Sequence, residues 1–119
     1  RNLGRSGCHG AISAEISEGG GGRSLAAMEL AAFQKLMAET YGEQDRERGV
    51  PATVAWLTEE LGELAQAVRK GTRDEQRHEL GDVLAWLASL AEQLGIGLDD
   101  AAQRYAKGCP RCAAKPCAC

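Results

Sequence analysis

The stretch EELGELAQAVRKGTRDEQRHELGD, from Glu59 to Asp82, decides the fold because it has the pattern of a helical hairpin. The tripeptide KGT at residues 70–72 interrupts two segments whose apolar residues recur every three or four positions, the period of an amphipathic helix. So short an interruption implies that the two helices lie antiparallel. Each helix carries one of two matched tetrapeptides, ELGE at residues 60–63 and ELGD at residues 79–82.

Two further helices are predicted on either side of this hairpin. MELAAFQKLMAETYGEQDRE forms the first, and RGVP then places Pro51 where a second helix, Ala52 to about Lys70, begins. The third runs from about Asp74 to Leu94, and LDDAAQRYAKG at residues 98–108 gives a short fourth. We therefore predict an all-α four-helix bundle. Gly62 and Gly81 weaken their helices, and we interpret them as points of close helix contact.

Composition and charge exclude several classes of protein. The chain of 119 residues has the size of one domain, and its net charge of −3 does not favour binding to nucleic acid polymers or membrane surfaces. No apolar run approaches the roughly 20 residues of a membrane span. The opening residues lack the apolar core of a signal peptide, so we expect a cytoplasmic protein.

The predicted domains are a leader, residues 1–27, a helical domain, residues 28–108, and a Cys-rich tail, residues 109–119. The leader contains GGGG at residues 19–22 and no apolar period, so we expect it to be disordered, with the native protein beginning at Met28. A native flexible arm is the alternative. About 80 ordered residues with wide apolar arcs make a thin core. We therefore expect the bundle to be completed by dimerisation, as a dimer or a dimer of dimers.

The two tetrapeptides predict a metal site. At about 100° per residue, the acids of each tetrapeptide lie beside the apolar stripe of their helix. Folding the hairpin about Gly71 brings four acids to one level: Glu60, Glu63, Glu79 and Asp82. Clustered carboxylates raise one another's pKa unless a cation compensates, and an all-oxygen site suits Mg²⁺ or Mn²⁺. Mg²⁺ commonly shares its shell with phosphates, so the predicted ligand is a phosphate compound.

Two other readings of the acids stay open. Glu-x-x-Glu pairs are often merely solvated helix faces. A di-iron bundle requires Glu-x-x-His on two helices, whereas this chain contains only one such motif, EQRH at residues 75–78.

EELGE followed by ELGD resembles the Glu-Glu-x-x-Glu and Glu-x-x-Asp signature of the MazG-like nucleotide pyrophosphohydrolases, which are related to the dimeric dUTPases and dCTP pyrophosphatases. The likeness covers about Met28 to Lys107. It implies Mg²⁺-dependent hydrolysis of nucleoside triphosphates (NTP or dNTP) between the α and β phosphates to the monophosphate and pyrophosphate, in a house-cleaning role. It also implies that the four acids bind Mg²⁺ and that Glu59 is an outer-shell or water-orienting catalytic base.

Phosphate and base contacts are less well determined by the sequence. The basic candidates for the phosphates are Lys70, Arg69, Arg77, Arg104 and Lys107, of which the resemblance favours the last two. The fourth helix has QRYAKG where the family often has a Lys-x-x-Asn spacing. Trp56 and Trp86 lie beside the acids, where they either stack on a nucleobase or pack within the bundle or a dimer interface.

The tail CPRCAAKPCAC gives Cys109, Cys112, Cys117 and Cys119, a C-x-x-C followed by a C-x-C. Four thiolates suffice for a structural Zn²⁺ in a tight knuckle. A reduced, mobile tail and a pair of disulfides are the alternatives.

The function predicted from the sequence is that of the hydrolase. The alternative is a non-catalytic helical interaction module whose Cys tail binds metal.

Overall fold

The computed structural model describes residues 27–119, so the predicted leader lies outside the described residues except for its last position. The described part of the chain forms helices and no strand, which confirms the all-α class with four helices. The helices are α1 (Leu30–Arg48), α2 (Val50–Lys70), α3 (Arg73–Gln93) and α4 (Leu98–Ala102), and a 3₁₀ turn (Gln103–Tyr105) follows α4. The fourth helix is therefore shorter than predicted.

A single residue, Gly49, joins α1 to α2. Its φ of 80° lies in the left-handed region, which a side chain would strain. Its N–H donates to the carbonyl of Asp45, while its own carbonyl accepts from the N–H and the hydroxyl of Thr53. Pro51 stands in the first turn of α2, as predicted.

The hairpin between α2 and α3 turns at Gly71 and Thr72. Gly71 has an extended backbone, and glycine is needed there because a Cβ would come within 2.8 Å of the Ala67 carbonyl oxygen. Thr72 and Glu75 form a capping box: the Thr72 hydroxyl accepts from the Glu75 N–H, and the Glu75 carboxylate accepts from the Thr72 N–H. The register of α3 against α2 is thereby set at its first residue.

The end of α3 is closed by a Schellman motif. Gly95, at a φ of 67°, donates to the Glu92 carbonyl, and the Ile96 N–H donates to the Ala91 carbonyl. The buried Gln34 of α1 ties this corner to α4, because its side chain donates to the Ile96 carbonyl and accepts from the Leu98 N–H. These bonds hold α1 across the C-terminal part of α3.

The interior of the single chain is built from small and polar residues. Its buried members are Gln34, Asp45, Thr53, Ala67, Trp86, Ala88, Ser89 and Ala91. Large apolar residues of α2 stay open instead, with Leu61 at 49% and Val68 at 63% exposure. Thr53 of α2 and Ala88 of α3, by contrast, are fully buried.

The expectation that Gly62 and Gly81 mark close helix contacts is wrong for the single chain. A Cβ added at either glycine would meet nothing within 4 Å. Leu80, Leu84 and Leu87 on the same helix as Gly81 are also exposed. None of the helices in the described range is long and apolar enough to cross a membrane.

Candidate active site

The α2–α3 hairpin brings three of the four predicted acids together. One carboxylate oxygen each of Glu60, Glu79 and Asp82 lies within 4.8 Å of the others. Glu60 comes from the middle of α2, and the other two lie one turn apart on α3. The antiparallel hairpin places them at one level, because the capping box and Gly71 fix where α3 begins.

Glu63 stands at the edge of this cluster. Its side chain is exposed, and it lines an open cleft of about 420 Å³ beside the hairpin turn together with Glu79 and Lys70. Its charge still acts on the cluster, since it contributes to raising the pKa of each of the three acids. The structure thus forms a tight group of three carboxylates with a fourth within electrostatic reach.

The three clustered acids share one electrostatic signature. Burial is the largest cause that raises the pKa of Glu60, Glu79 and Asp82 above the ordinary carboxyl range, and neighbouring carboxylates raise it further. The indole N–H of Trp86 lowers the pKa of Glu60, and His78 lowers those of Glu79 and Asp82, without reversing the shift. A group of acids in this state favours a bound cation.

Two of these acids also carry oxygens without a partner. Among the described residues, the buried side-chain oxygens that lack a hydrogen-bond partner are Glu60 Oε2, Glu79 Oε2 and Ser89 Oγ. A buried carboxylate oxygen without a donor costs about 1–3 kcal/mol or more. Hard cations that prefer oxygen ligands, above all Mg²⁺ or Mn²⁺, would satisfy both carboxylates, so the residues present fit such an ion.

Trp86 lies in the interior behind the cluster and positions Glu60. Its Nε1–H donates to Glu60 Oε1 over 3.2 Å. Its ring stacks on Trp56 with centroids 5.9 Å apart and planes 14° apart, and the Arg48 guanidinium lies 4.7 Å from its centroid. With 3% exposure, Trp86 does not present a free face for a nucleobase, so the structure supports the packing interpretation. Trp56 is 43% exposed and keeps the other role open.

Two residues that contact Asp82 or Trp86 were not predicted from the sequence. His78 Nε2 lies 3.3 Å from Asp82 Oδ2, an i,i+4 pair that the helical spacing could have revealed. In the sequence, His78 stands out only through the EQRH motif of a di-iron site. Arg48 lies in the RGVP segment between two predicted helices. Its ion pair with the buried Asp45 and its place over Trp86 become visible only in the folded chain.

The predicted phosphate and base contacts are dispersed. Lys70 lines the cleft next to Glu63 and Glu79. Arg77 instead pairs with Asp74 across 2.7 Å on the exposed side of α3. Arg104 and Lys107 are exposed in and after the 3₁₀ turn, and Glu59 is exposed on α2 outside the group of three acids.

The four cysteines of the tail form a second cluster. Their sulfur atoms lie within 4.8 Å of one another, and all four thiols are free. Backbone N–H groups of Ala118 and Ala114 lower the pKa of Cys112 to about 6. Those of Cys112 and Arg111 lower the pKa of Cys109. Hydrogen bonds with Cys117 and Cys109 instead raise the pKa of Cys119 to about 11.

Comparison with known proteins gives one family and two relatives. Residues 48–112 match the model of the MazG nucleotide pyrophosphohydrolase domain. The chain is similar to the uncharacterized protein YvdC of Bacillus subtilis (strain 168), with 38% identity over 90 residues that cover 61% of this chain and 85% of that protein. It is also similar to the uncharacterized protein YpjD of the same strain, with 44% identity over 63 residues that cover 44% of this chain and 57% of that protein.

Proposed function

The chain belongs to the MazG nucleotide pyrophosphohydrolase domain family, and from this premise we propose that it hydrolyses nucleoside triphosphates between the α and β phosphates, giving the monophosphate and pyrophosphate. The observation that carries the proposal is the acid cluster of the hairpin. Glu60, Glu79 and Asp82 converge within the matched range, and two of them hold buried oxygens without a partner. A cation between α2 and α3 would satisfy these oxygens.

The proposed ion is Mg²⁺ or Mn²⁺, held by Glu60, Glu79 and Asp82, with Glu63 completing the set from the edge of the cleft. When bound, such an ion supplies positive charge that neutralises phosphate oxygens and polarises water. The protein residues orient the ligands. The Trp86 N–H fixes one oxygen of Glu60, whose other oxygen would be available to a bound ion, and His78 holds one oxygen of Asp82.

The open cleft beside the cluster is the proposed entry for the triphosphate. Lys70 lies in it next to two of the acids and can neutralise phosphate charge that the ion leaves. We propose Trp56, the exposed member of the tryptophan pair, as the stacking surface for the base. Three further candidates for phosphate contacts are Arg77, Arg104 and Lys107. Arg77 would have to leave its ion pair with Asp74 to bind the substrate.

Glu59 is the proposed base that orients the attacking water. It precedes Glu60 on α2 and is exposed, so it is free of the constraints that hold the cluster. Glu59→Gln should therefore lower turnover and leave the Mg²⁺-induced rise in melting temperature unchanged. An equal loss of both would instead make Glu59 a ligand, and no loss of turnover would remove it from the mechanism.

A homodimer or a dimer of dimers is the proposed assembly. Large exposed apolar side chains lie along α2 and α3, among them Leu61, Val68, Leu80 and Leu84. Gly62 and Gly81, where a Cβ would meet nothing within 4 Å, lie among them in sequence. A second copy of the chain would cover this surface and thicken the small core. Light scattering of the purified protein should give at least a dimer, and an active monomer at micromolar concentration would contradict the proposal. Within the cytoplasm, the proposed role is removal of unwanted nucleotides.

The proposal is tested with a panel of NTPs and dNTPs in Mg²⁺ or Mn²⁺. Phosphate should appear only when inorganic pyrophosphatase is added, because the direct product is pyrophosphate. Glu79→Gln should abolish the signal, whereas Glu43→Gln, which changes an exposed acid of α1, should leave it intact. Hydrolysis of no nucleotide with either ion would reject the hydrolase and favour a non-catalytic helical module.

A further inference from the structure

We propose that the C-terminal tail is a structural zinc site, in which the thiolates of Cys109, Cys112, Cys117 and Cys119 bind one Zn²⁺ tetrahedrally. The site is separate from the acid cluster and does not depend on the proposed hydrolase activity. Its ligands are sulfur rather than oxygen, so it selects a different class of ion from the hairpin.

The sulfur geometry is the first argument. The separations are 3.6 Å for Cys109 and Cys119, 3.9 Å for Cys112 and Cys117, and 3.3 Å for Cys117 and Cys119. Four sulfurs placed about 2.3 Å from a tetrahedral zinc lie about 3.8 Å apart. A disulfide requires about 2.05 Å. These three separations therefore lie within about 0.5 Å of the tetrahedral value, and all four sulfurs lie within 4.8 Å of one another.

The backbone of the tail is shaped to direct its sulfurs inward. Ala113 adopts a left-handed φ of 56° and donates its N–H to the Cys109 carbonyl over 2.7 Å, which closes the CPRC turn. The Ala118 N–H points at Cys112 Sγ over 3.5 Å. Gly108 approaches the second half of the tail so closely that a Cβ would lie 2.9 Å from the Ala114 carbonyl oxygen. Tight turns with N–H groups directed at sulfur stabilise thiolates.

Packing does not explain why these thiols meet. Apart from Cys109 and Ala114, which are half-buried, every residue from 109 to 119 is exposed. An eleven-residue segment without an apolar interior cannot offset its ordering entropy by burial. A metal that joins both halves supplies the missing free energy, as it does in other small metal-held units. Because the protein fills all four positions, the zinc has no open site for catalysis and is structural.

Metal analysis of the full chain, after dialysis, is the direct test. We expect about one zinc per chain in wild type and in Cys8→Ser, which changes the one cysteine outside the tail. Cys109→Ser/Cys112→Ser and, as a second variant, Cys117→Ser/Cys119→Ser should each lose the zinc. Both should keep the helical circular dichroism and the nucleotide hydrolysis of wild type.

Two further readouts distinguish the alternatives. Trypsin should cut after Arg111 slowly in the zinc-loaded protein and at least tenfold faster after chelation. Zinc-free protein whose four tail thiols react freely with a thiol reagent would overturn the proposal. So would two disulfides by mass spectrometry, or iron in place of zinc. If hydrolysis fails while zinc is retained, the proposed function is rejected and the zinc site stands.

Discussion

Asp82→Asn tests the interpretation of the acid cluster most directly. The substitution keeps the shape of the side chain and removes one negative charge from a group whose oxygens lie within 4.8 Å of one another. It also removes the charge that pairs with His78. We expect opposite effects without and with Mg²⁺, because the same charge repels its neighbours and binds the ion.

The effect of Asp82→Asn on the stability of the metal-free protein can be estimated from the separation of the carboxylate oxygens. Two unit charges 4.8 Å apart repel by about 0.9 kcal/mol in bulk water and about 3.5 kcal/mol at an effective dielectric constant of 20. The lower figure is used here, because pairs of partly exposed charges are worth about 1 kcal/mol or less when measured, and the Asp82 side chain keeps 22% exposure. Loss of the His78 pairing offsets at most about 1 kcal/mol. The metal-free protein should therefore gain between zero and about 1 kcal/mol, or up to about 4–8 °C in melting temperature.

The effect with Mg²⁺ has the opposite sign. At a hundred times its Kd, Mg²⁺ stabilises wild type by about 2.7 kcal/mol. Changing a residue that merely orients a ligand costs 10–100-fold in metal affinity, so loss of a charged ligand should cost at least tenfold. At the same Mg²⁺ concentration the variant should then gain about 1.4 kcal/mol or less, and its hydrolysis rate should collapse.

The assay is the melting temperature with and without Mg²⁺, together with the rate of hydrolysis. Glu43→Gln is the control, since Glu43 is an exposed acid of α1 outside the cluster and outside the proposed substrate contacts. Glu75 would be a poor control because it completes the capping box of α3. The control should stay within about 0.5 kcal/mol. If the two variants show the same Mg²⁺ response and the same rate, the cluster is a solvated face and the reasoning fails.

Three further predictions follow from the same hairpin. Trp86→Phe keeps the stack on Trp56 but removes the hydrogen-bond donor to Glu60. Denaturant unfolding should show a loss of about 1–3 kcal/mol in stability, and Mg²⁺ should raise the melting temperature by less than in wild type. An unchanged rise would mean that the indole N–H does not position Glu60. Thr72→Ala removes the N-cap of α3. The free energy of unfolding in urea should fall by about 1 kcal/mol, while the Mg²⁺ affinity is retained. No loss of stability would show that the capping box contributes little. Because the folded state raises the pKa of Glu60, Glu79 and Asp82, it binds more protons there than the unfolded state. As the pH rises from about 4 to 7, metal-free wild type should therefore lose more stability than metal-free Glu79→Gln. Saturating Mg²⁺ should abolish that loss. Parallel profiles of stability against pH for the two metal-free proteins would refute the prediction.

The helices and their order could be predicted from local sequence signals alone. Apolar spacing, Pro51 and the KGT interruption predicted the hairpin to within a few residues, because these signals act through the local backbone. The position of this turn also placed Glu60, Glu79 and Asp82 at one level, since the level across an antiparallel pair depends on where the turn lies. It did not predict that Glu63, expected at the same level, stays outside the group of three.

Which side chains are buried, and how they pair, depends on how the helices pack. Thr53 and Ala88 are fully buried while Leu61 and Val68 stay exposed, because helix packing, which periodicity does not contain, selects the residues of the interior. Packing also buries Trp86, with Arg48 over its ring and its N–H on Glu60, and leaves Glu63 at the edge of the cleft. Helical phase assigns a residue to a face, but burial, unpaired oxygens and raised pKa values arise only when a second helix arrives at a particular separation.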